Sequence, residues 1–349
     1  MAASQPVDFR SDLLSRPTQA IISAMVRAMR RPAAFGLRED ADQRELEERA
    51  ALLLDKEDAL LFATCTAANQ AALAVLAPPG TAVATASDPH ILTSEAGAHA
   101  ALSGLTLKAL AGGPAPALEE WTDVIDAATD ELRMPIAAIV LENTHTRGGG
   151  VPLDADYTLG VLAHAHRRQL GSHLDGARLP NAALATGRTL AQLARGFDTV
   201  SMSLNKGLCT PVGAILAGSR ELVGRATIMR QRLGGGIRPT AIIAAAGAAA
   251  LKDMSPIASD HRRAKHLAEL LAQVVGVEVA IPATNIVLLR LDALKLRADE
   301  FCRVLADHGL LALPFGTAVR FVTYHGLADE DVERAARVVA AAVENSRRS

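Results

Sequence analysis

Residues 172–185 read SHLDGARLPNAALA, and residues 197–219 read FDTVSMSLNKGLCTPVGAILAGS. In each stretch a short apolar segment delivers one ionisable residue just past its end, Asp175 in the first and Lys206 in the second. Such apolar runs, alternating with longer stretches of helical period, are typical of a mostly parallel sheet covered by helices. Ligands bind at the carboxyl ends of the strands in an open α/β sheet, so we expect both side chains in one crevice. The predicted fold class is α/β.

The same alternation continues along the chain and predicts its division. We predict helices over residues 67–76 and 156–169, and strands over 59–63, 81–84, 136–141, 172–174, 199–203 and 212–217. From about residue 252 the pattern changes, and it predicts helices over 261–272 and 296–308, a β-rich stretch over 284–291, a strand near 318–323 and a final helix from 329. We therefore predict an N-terminal arm over residues 1–20, a large domain over 21–250 and a small C-terminal α+β domain over 251–349.

Composition excludes several classes of function. The 349 residues include 36 basic and 38 acidic side chains and only 3% aromatic ones, which disfavours nucleic acid as a partner. The longest apolar run, over residues 240–251, is short of the ~20 residues that cross a bilayer, and the first residues lack a secretory signal pattern. We therefore expect a soluble protein with no membrane partner.

The three cysteines, Cys65, Cys209 and Cys302, lie far apart and lack the spacing of a zinc site. Their odd number disfavours a disulfide framework, which suits a reducing compartment. We expect a cytoplasmic protein without a metal site.

Asp175 and Lys206 together match the needs of pyridoxal 5′-phosphate (PLP). That cofactor requires a lysine to hold its aldehyde as a Schiff base and a carboxylate against its pyridine nitrogen. The alternative is that Asp175 begins a turn and Lys206 is a solvated loop residue. Thr64 and Thr66 lie where a predicted strand meets a helix, where hydroxyls and backbone amides can bind the cofactor phosphate. A threonine in this position can equally be a simple helix cap.

Several further motifs occur in a fixed order and carry a resemblance to a known family. They are RSD at 10–12, PHILTSEAG at 89–97, LENTHTRGGG at 141–150, HLDGARLPNAA at 173–183, SLNKGL at 203–208 followed by PVG, and RLGGGIR at 232–238. Over residues 7–330 the chain resembles the threonine aldolase and β-eliminating lyase family, PLP enzymes of the aspartate aminotransferase fold (fold type I). The resemblance implies a mostly parallel, seven-stranded type of sheet with helices on both faces and a smaller C-terminal domain. It also implies a homodimer or homotetramer with active sites at the subunit interface.

The resemblance assigns roles around the cofactor. It implies that Lys206 is the Schiff-base lysine, that Asp175 is the partner of the pyridinium nitrogen and that His90 stacks on the ring. Thr64, Cys65 and Thr66 are predicted to bind the cofactor phosphate, which Arg238 reaches from a neighbouring subunit. Arg178 is also a predicted cofactor-binding residue.

Roles toward the substrate come from the same resemblance. Ser11, Arg178 and Arg320 match positions that bind the amino acid carboxylate, for which arginine supplies a fork of donors. His145 matches a histidine near the substrate β-hydroxyl, where it could orient that group or a water that acts as general base. The alternatives are a solvated arginine at 320 and a loop histidine at 145 that bonds to its own backbone.

The chain also departs from the family pattern. Residues 35–47 read FGLREDADQRELE where members with threonine activity carry a loop close to YGEDPTVNELE, so Phe35 lacks the phenol. Cys65 and Cys209 stand where glycine is usual, and Asn205 replaces a serine. In the family this loop lies beside the substrate, so its altered sequence leaves the identity of the substrate's β-substituent open.

These patterns predict an aldolase that cleaves the Cα–Cβ bond of a β-hydroxy-α-amino acid resembling L-threonine or L-allo-threonine, giving glycine and an aldehyde. The alternative within the fold is a β-eliminating lyase or an amino acid racemase, since both need only Lys206 and Asp175. An alternative of another class is a binding or assembly module that keeps the fold without catalysis.

Overall fold

The computed structural model describes residues 5–127 and 134–348, without the side chain of residue 348. These residues form two compact units. Residues 17–254 make the large unit, and the described residues before 17 and after 254 make the small unit. The predicted domain bounds at residues 20 and 250 stay predictions.

The strands, in chain order, are β1 (Val7–Asp8), β2 (Asp58–Phe62), β3 (Ala82–Thr85), β4 (Thr106–Ala109), β5 (Ile136–Glu142), β6 (Gly171–Asp175), β7 (Thr199–Ser203), β8 (Ala214–Gly218), β9 (Glu278–Val279), β10 (Ile286–Arg290), β11 (Leu310–Leu311), β12 (Leu313–Phe315) and β13 (Ala318–Val322). The helices are α1 (Gln19–Met29), α2 (Ala41–Leu54), α3 (Cys65–Leu76), α4 (His90–Thr93), α5 (Ala98–Ser103), α6 (Leu118–Asp126), α7 (Ala155–Arg167), α8 (Leu179–Thr186), α9 (Leu190–Ala194), α10 (Arg220–Arg232), α11 (Ala241–Ala250), α12 (Pro256–Leu271), α13 (Ala298–Asp307) and α14 (Asp329–Arg348).

The large unit is built on a seven-stranded sheet in the order β2-β8-β7-β6-β5-β3-β4. Strand β8 runs antiparallel to both of its neighbours, and the other neighbouring strands pair in parallel. The predicted α/β class and mostly parallel sheet are confirmed, and all six predicted strands are present. Strand β4 was missed because it lies at the sheet edge with largely exposed side chains, and so lacks an apolar run.

Helices bury the interior strands of this sheet. Strand β5 reads IAAIVLE and is buried over most of its length, as expected for a parallel strand covered on both faces. Helix α3 packs its alanines, such as Ala68 and Ala71, with Leu60 and Phe62 of β2. Small side chains let the helix approach the sheet closely. Strands β6 and β7 pair in parallel, which places Asp175 opposite Ser201 at their carboxyl ends.

The small unit contains an antiparallel sheet in the order β12-β13-β10-β9 and a parallel pair formed by β1 and β11. Its helices are α12, α13 and α14, and the predicted helices and strands of this region are confirmed. Phe9 and Phe321 meet edge to face in its core with ring centroids 6.0 Å apart. Val7–Asp8, within the predicted arm, belongs to this unit by its pairing with Leu310–Leu311. Among the described residues, no helix has both the length and the apolar character to span a membrane.

Candidate active site

Asp175 and Lys206 lie at the carboxyl ends of neighbouring strands. Asp175 is the buried last residue of β6, and Lys206 follows the last residue of β7 by three positions. A turn shapes the lysine loop, because the N–H of Cys209 donates to the Lys206 carbonyl at 2.9 Å and Cys209 adopts φ 62°. This left-handed conformation is one that glycine adopts without steric cost, which explains the glycine usual at this position.

The charges of Asp175 and Lys206 both affect the pKa values of Cys65 and His90. Burial raises the pKa of the Cys65 thiol to about 12, the Asp175 carboxylate adds to that rise and the Lys206 ammonium opposes it. The hydrogen bond that His90 donates to Glu95 raises the pKa of His90 above its usual value, and burial opposes this. Asp175 adds to the rise and Lys206 again opposes it. Lys206, Asp175, His90 and Cys65 therefore share one region of the large unit.

The start of α3 provides an anion-binding end close to this region. The Thr64 hydroxyl accepts from the N–H of Ala67 at 3.1 Å, so Thr64 caps the helix. Within the described chain, the backbone N–H groups of Cys65 and Thr66 have no assigned acceptor. The Cys65 sulfur lies 3.6 Å from the Ser201 hydroxyl, so this side chain fits against β7. Two first-turn amides are thus available to bind an anion.

His90 begins α4 and is held at two points. Its backbone N–H donates to Glu142 Oε2 at 2.7 Å, and its Nδ1 lies 2.9 Å from Glu95 Oε1. Because a carboxylate only accepts, Nδ1 is the donor and carries the proton. Glu142 also accepts from the N–H of Thr146 at 2.8 Å, which ties the start of α4 to the loop after β5.

His145 lies in the loop after β5 and is buried. Its Nδ1 accepts from the N–H of Gly148 at 3.0 Å, and its Nε2 lies 3.0 Å from the carbonyl oxygen of Ser87. Nε2 is therefore the protonated nitrogen, and both ring nitrogens are engaged by backbone groups. In this conformation the ring has no free lone pair with which to accept a proton from a substrate.

Arg178 joins the loop after β6 to the loop after β5. Its Nη1 donates to the Thr146 hydroxyl at 2.9 Å, and its side chain is buried. The sequence motifs that contain Arg178 and His145 therefore meet in the folded protein, as two predicted parts of one substrate site require.

Arg238 is exposed and contacts the altered loop. Its guanidinium lies 5.5 Å from the centroid of the Phe35 ring, and its Nη1 donates to the Phe35 carbonyl at 3.5 Å. The predicted phosphate contact of Arg238 with a neighbouring subunit stays a prediction.

Ser11 and Arg320 belong to the small unit. The Ser11 hydroxyl accepts from the N–H of Leu13 at 3.1 Å and caps a short 3-10 helix. Arg320 donates to the Arg10 carbonyl at 3.1 Å, and its guanidinium lies 5.0 Å from the centroid of the Phe315 ring. Their substrate-binding roles stay predictions.

Comparison with known proteins establishes the family. The family model described as β-eliminating lyase matches residues 8–294. The chain belongs to the β-eliminating lyase family. This lyase is 33% identical over 340 residues to low-specificity L-threonine aldolase 1 of Arabidopsis thaliana, covering 93% of each chain. It is 34% identical over 292 residues to the low specificity L-threonine aldolase of Escherichia coli strain K12, covering 81% of this chain and 84% of the relative.

Solved structures share the fold of this lyase. Threonine aldolase of Leishmania major superposes with a TM-score of 0.83 at 19% identity, and the match covers 97% of this chain and 100% of the other. The predicted family and fold are thereby confirmed.

The lyase site also contains residues that the sequence analysis did not single out. The amide of Asn69 donates to Asp175 Oδ2 at 2.8 Å and to Glu95 Oε1 at 3.0 Å. Both residues lie inside motifs that were recognised for their neighbours, TCTAANQ at 64–70 and PHILTSEAG at 89–97. Asn69 lies in helix α3 and Glu95 in the bend between α4 and α5, and both are buried. A buried amide or carboxylate without a partner is costly, so each must bond to a polar neighbour.

Proposed function

We propose that this chain is a PLP-dependent aldolase that cleaves a β-hydroxy-α-amino acid of the L-threonine or L-allo-threonine class into glycine and an aldehyde. The observation that carries the proposal is the convergence of Lys206, Asp175 and His90 at the carboxyl ends of the strands. It is supported by 33% and 34% identity, over most of the chain, to two relatives named low-specificity L-threonine aldolase.

The donor set of the large unit fits the cofactor. Lys206 provides the amine that would hold the aldehyde, and Asp175 provides a carboxylate for the pyridine nitrogen. Within the described chain each Asp175 oxygen accepts one hydrogen bond, from Asn69 to Oδ2 and from the N–H of Ala177 to Oδ1 at 3.1 Å, which leaves lone pairs for a further donor. When bound, PLP supplies a sink for the electrons of a bond broken at the substrate Cα.

The phosphate would bind at the start of α3. The N–H groups of Cys65 and Thr66 point to this end of the helix, where the macrodipole also favours an anion. Thr64 would act by capping the helix and fixing these amides. Arg238 would add its charge from a neighbouring subunit.

Arg178 is the proposed anchor of the substrate carboxylate, assisted by Ser11 and Arg320. Its bond to Thr146 fixes the guanidinium against the loop that carries His145. A fixed guanidinium limits how the amino acid can lie, so the bond to be broken can be held in the orientation that the cofactor requires.

Two histidines are candidates to handle the proton of the β-hydroxyl. Both ring nitrogens of His145 bond to backbone groups, so His145 would fix the loop after β5, which carries Thr146. His90 uses Nδ1 for Glu95, and within the described chain its Nε2 has no assigned partner. His90 is therefore the better placed to interact with the hydroxyl or with a water, in addition to stacking on the cofactor ring.

We also propose that the enzyme is a cytoplasmic homodimer or homotetramer with active sites at the subunit interface. The three free cysteines support a reducing compartment. Exposed apolar side chains along α1, namely Ile22, Val26 and Met29, support association with another chain.

The test is product analysis with purified, cofactor-loaded enzyme on L-threonine, L-allo-threonine and β-phenylserine. We expect glycine and the matching aldehyde in equal amounts. Ammonia with a keto acid in place of glycine would establish β-elimination instead, and recovery of D-amino acid without glycine would establish racemisation.

A further inference from the structure

A buried chain of polar side chains joins His90 to Asp175. His90 Nδ1 lies 2.9 Å from Glu95 Oε1, the same oxygen accepts from Asn69 Nδ2 at 3.0 Å, and Asn69 Nδ2 also donates to Asp175 Oδ2 at 2.8 Å. Asn69, Glu95 and Asp175 are each at most 3% exposed. The two groups proposed to contact the cofactor ring, one at its nitrogen and one on its face, are thus connected through two intervening residues.

The orientation of the Asn69 amide is fixed by its partners. Both hydrogens of Nδ2 go to carboxylates, which only accept. Oδ1 therefore faces two donors, the Ser201 hydroxyl at 2.6 Å and His173 Nε2 at 3.1 Å. Burial lowers the pKa of His173 to about 4, so its ring is neutral and Nε2 carries the proton. A flipped amide would set Nδ2 against these donors and Oδ1 against the carboxylates.

Glu95 is fixed equally firmly. Its second oxygen, Oε2, accepts from Gln70 Nε2 at 2.6 Å, so both carboxylate oxygens are held from neighbouring positions of α3. The His90 ring that bonds to this carboxylate has its tautomer set, with the proton on Nδ1 and the lone pair on Nε2.

We propose that Glu95 and Asn69 are positioning residues of the active site, resting on the proposed function. Glu95 sets the orientation and tautomer of His90, and Asn69 holds Glu95 and Asp175 at a fixed separation. Neither touches the substrate or the cofactor. The same carboxylate-to-histidine arrangement orients rings in other enzymes and metal sites, where its loss typically costs about 10- to 100-fold in function.

The charged groups around His90 determine how Glu95→Gln should change the pH at which His90 loses its proton. Glu95 bonds to its ring, Asp175 favours its protonated form, Lys206 disfavours it, and Glu142 binds its backbone N–H. Glu95→Gln removes the nearest negative charge, so His90 would lose its proton at lower pH than in the wild type. Any limb of the kcat–pH profile that depends on His90 therefore moves toward acid.

The first test compares Glu95→Gln with Asp198→Asn, a half-buried carboxylate that accepts from the N–H and hydroxyl of Ser172 and lies at the amino ends of β6 and β7, away from the proposed site. With L-threonine we expect Glu95→Gln to lower kcat by about 10- to 100-fold with KM changed by less than about threefold, and to shift the acid limb. Asp198→Asn lowers stability without moving that limb. An unchanged pH profile and a kcat within about twofold in Glu95→Gln would overturn the role of Glu95.

A double-mutant cycle separates the two residues. If Glu95 acts through His90, then Glu95→Gln has no further effect on a His90→Phe background. Asn69→Ala retains an effect on that background, because it also releases Asp175 and should weaken PLP binding about tenfold. Additive losses for Glu95 and His90, or unchanged PLP affinity in Asn69→Ala, would contradict the proposal. Should Glu95→Gln fail to fold, Gln70→Met removes only the anchor of Oε2 and should move the same limb by a smaller amount.

A measurement without substrate keeps this proposal distinct from the proposed function. The visible absorbance of the bound cofactor is followed across pH in wild type, Glu95→Gln and Asp198→Asn. A shifted titration in Glu95→Gln alone supports the positioning role, even if the wild type releases no glycine and the aldolase proposal fails. Identical titrations in all three proteins would overturn the role, even if glycine is released.

Discussion

Two regions of the large unit differ in how tightly their side chains are held. Around Asp175 the polar groups are buried, and the Asn69 amide alone makes four hydrogen bonds of 2.6 to 3.1 Å. In the altered loop over residues 35–47 the Phe35 ring is 85% exposed. Arg238 donates a 3.5 Å hydrogen bond to the Phe35 carbonyl, and its guanidinium lies over the ring. The first region has the rigidity that cofactor chemistry requires. The second can change with little cost to the fold, which is consistent with the proposal that residues 35–47 bear on the substrate's β-substituent.

The largest expected effect comes from removing the Lys206 amine, which lies in the buried region around Asp175. Lys206→Ala should abolish the covalent adduct that borohydride traps and reduce glycine release by at least about 10³-fold, because no other group would hold the cofactor aldehyde. Lys56→Ala is a matched control, since Lys56 bonds to the Phe197 carbonyl at 2.6 Å and lies outside the proposed site. Trapping at a different lysine would show that Lys206 is wrongly assigned.

The next effect concerns the carboxylate. Asp175→Asn should lower kcat by about 10²-fold or more, because an amide cannot stabilise a protonated pyridine nitrogen as a carboxylate does. Steady-state kinetics and cofactor titration measure it. A variant that keeps wild-type kcat would remove Asp175 from the cofactor site.

His145→Ala tests the loop that borders the rigid region. The substitution leaves the Ser87 carbonyl and the Gly148 N–H without their ring partner, so the loop that holds Arg178 through Thr146 should loosen. We expect slower aldehyde release and an approximately tenfold higher KM with PLP still bound. Unchanged turnover and KM would exclude His145 from the mechanism.

Phe35→Tyr tests the exposed altered loop. Restoring the phenol should alter the ratio of kcat/KM values between L-threonine and β-phenylserine by about two- to fivefold, with PLP affinity unchanged. Phe35→Leu, which removes the ring, separates the effect of the phenol from that of the ring. Equal ratios in all three proteins would place substrate selection elsewhere.

The smallest effect concerns the lysine loop. Cys209 has φ 62°, so Cys209→Gly should relieve strain and raise the free energy of unfolding by up to about 1 kcal/mol. Cys302→Gly, in the middle of α13, should lower it, since glycine weakens a helix and leaves a cavity there. Denaturant unfolding measures both, and a destabilised Cys209→Gly variant would show that the thiol contributes more than the strain costs.

Site residues that follow a recognisable local pattern, such as Lys206 and Asp175, could be predicted from the sequence. Asp175 ends strand β6 and Lys206 follows strand β7, so their position at the carboxyl ends of these strands could be predicted from the local pattern. Asn69 was not found because its role comes from a contact with Asp175 across 106 positions of the chain. Glu95 was quoted only as part of the His90 motif, since nothing local distinguishes a carboxylate that bonds to a histidine from a solvated one. Strand β4 escaped prediction for a related reason, because an exposed edge strand carries no apolar signal.

The most direct measurement is proton NMR of L-threonine incubated in D₂O with the cofactor-loaded enzyme. Cleavage of the Cα–Cβ bond replaces the departing carbon with one solvent deuterium. We therefore predict singly deuterated glycine and an equal amount of acetaldehyde, while unreacted threonine keeps its Cα hydrogen. Loss of that hydrogen from recovered substrate without glycine, or formation of ammonia and 2-oxobutanoate, would contradict the proposed aldol cleavage.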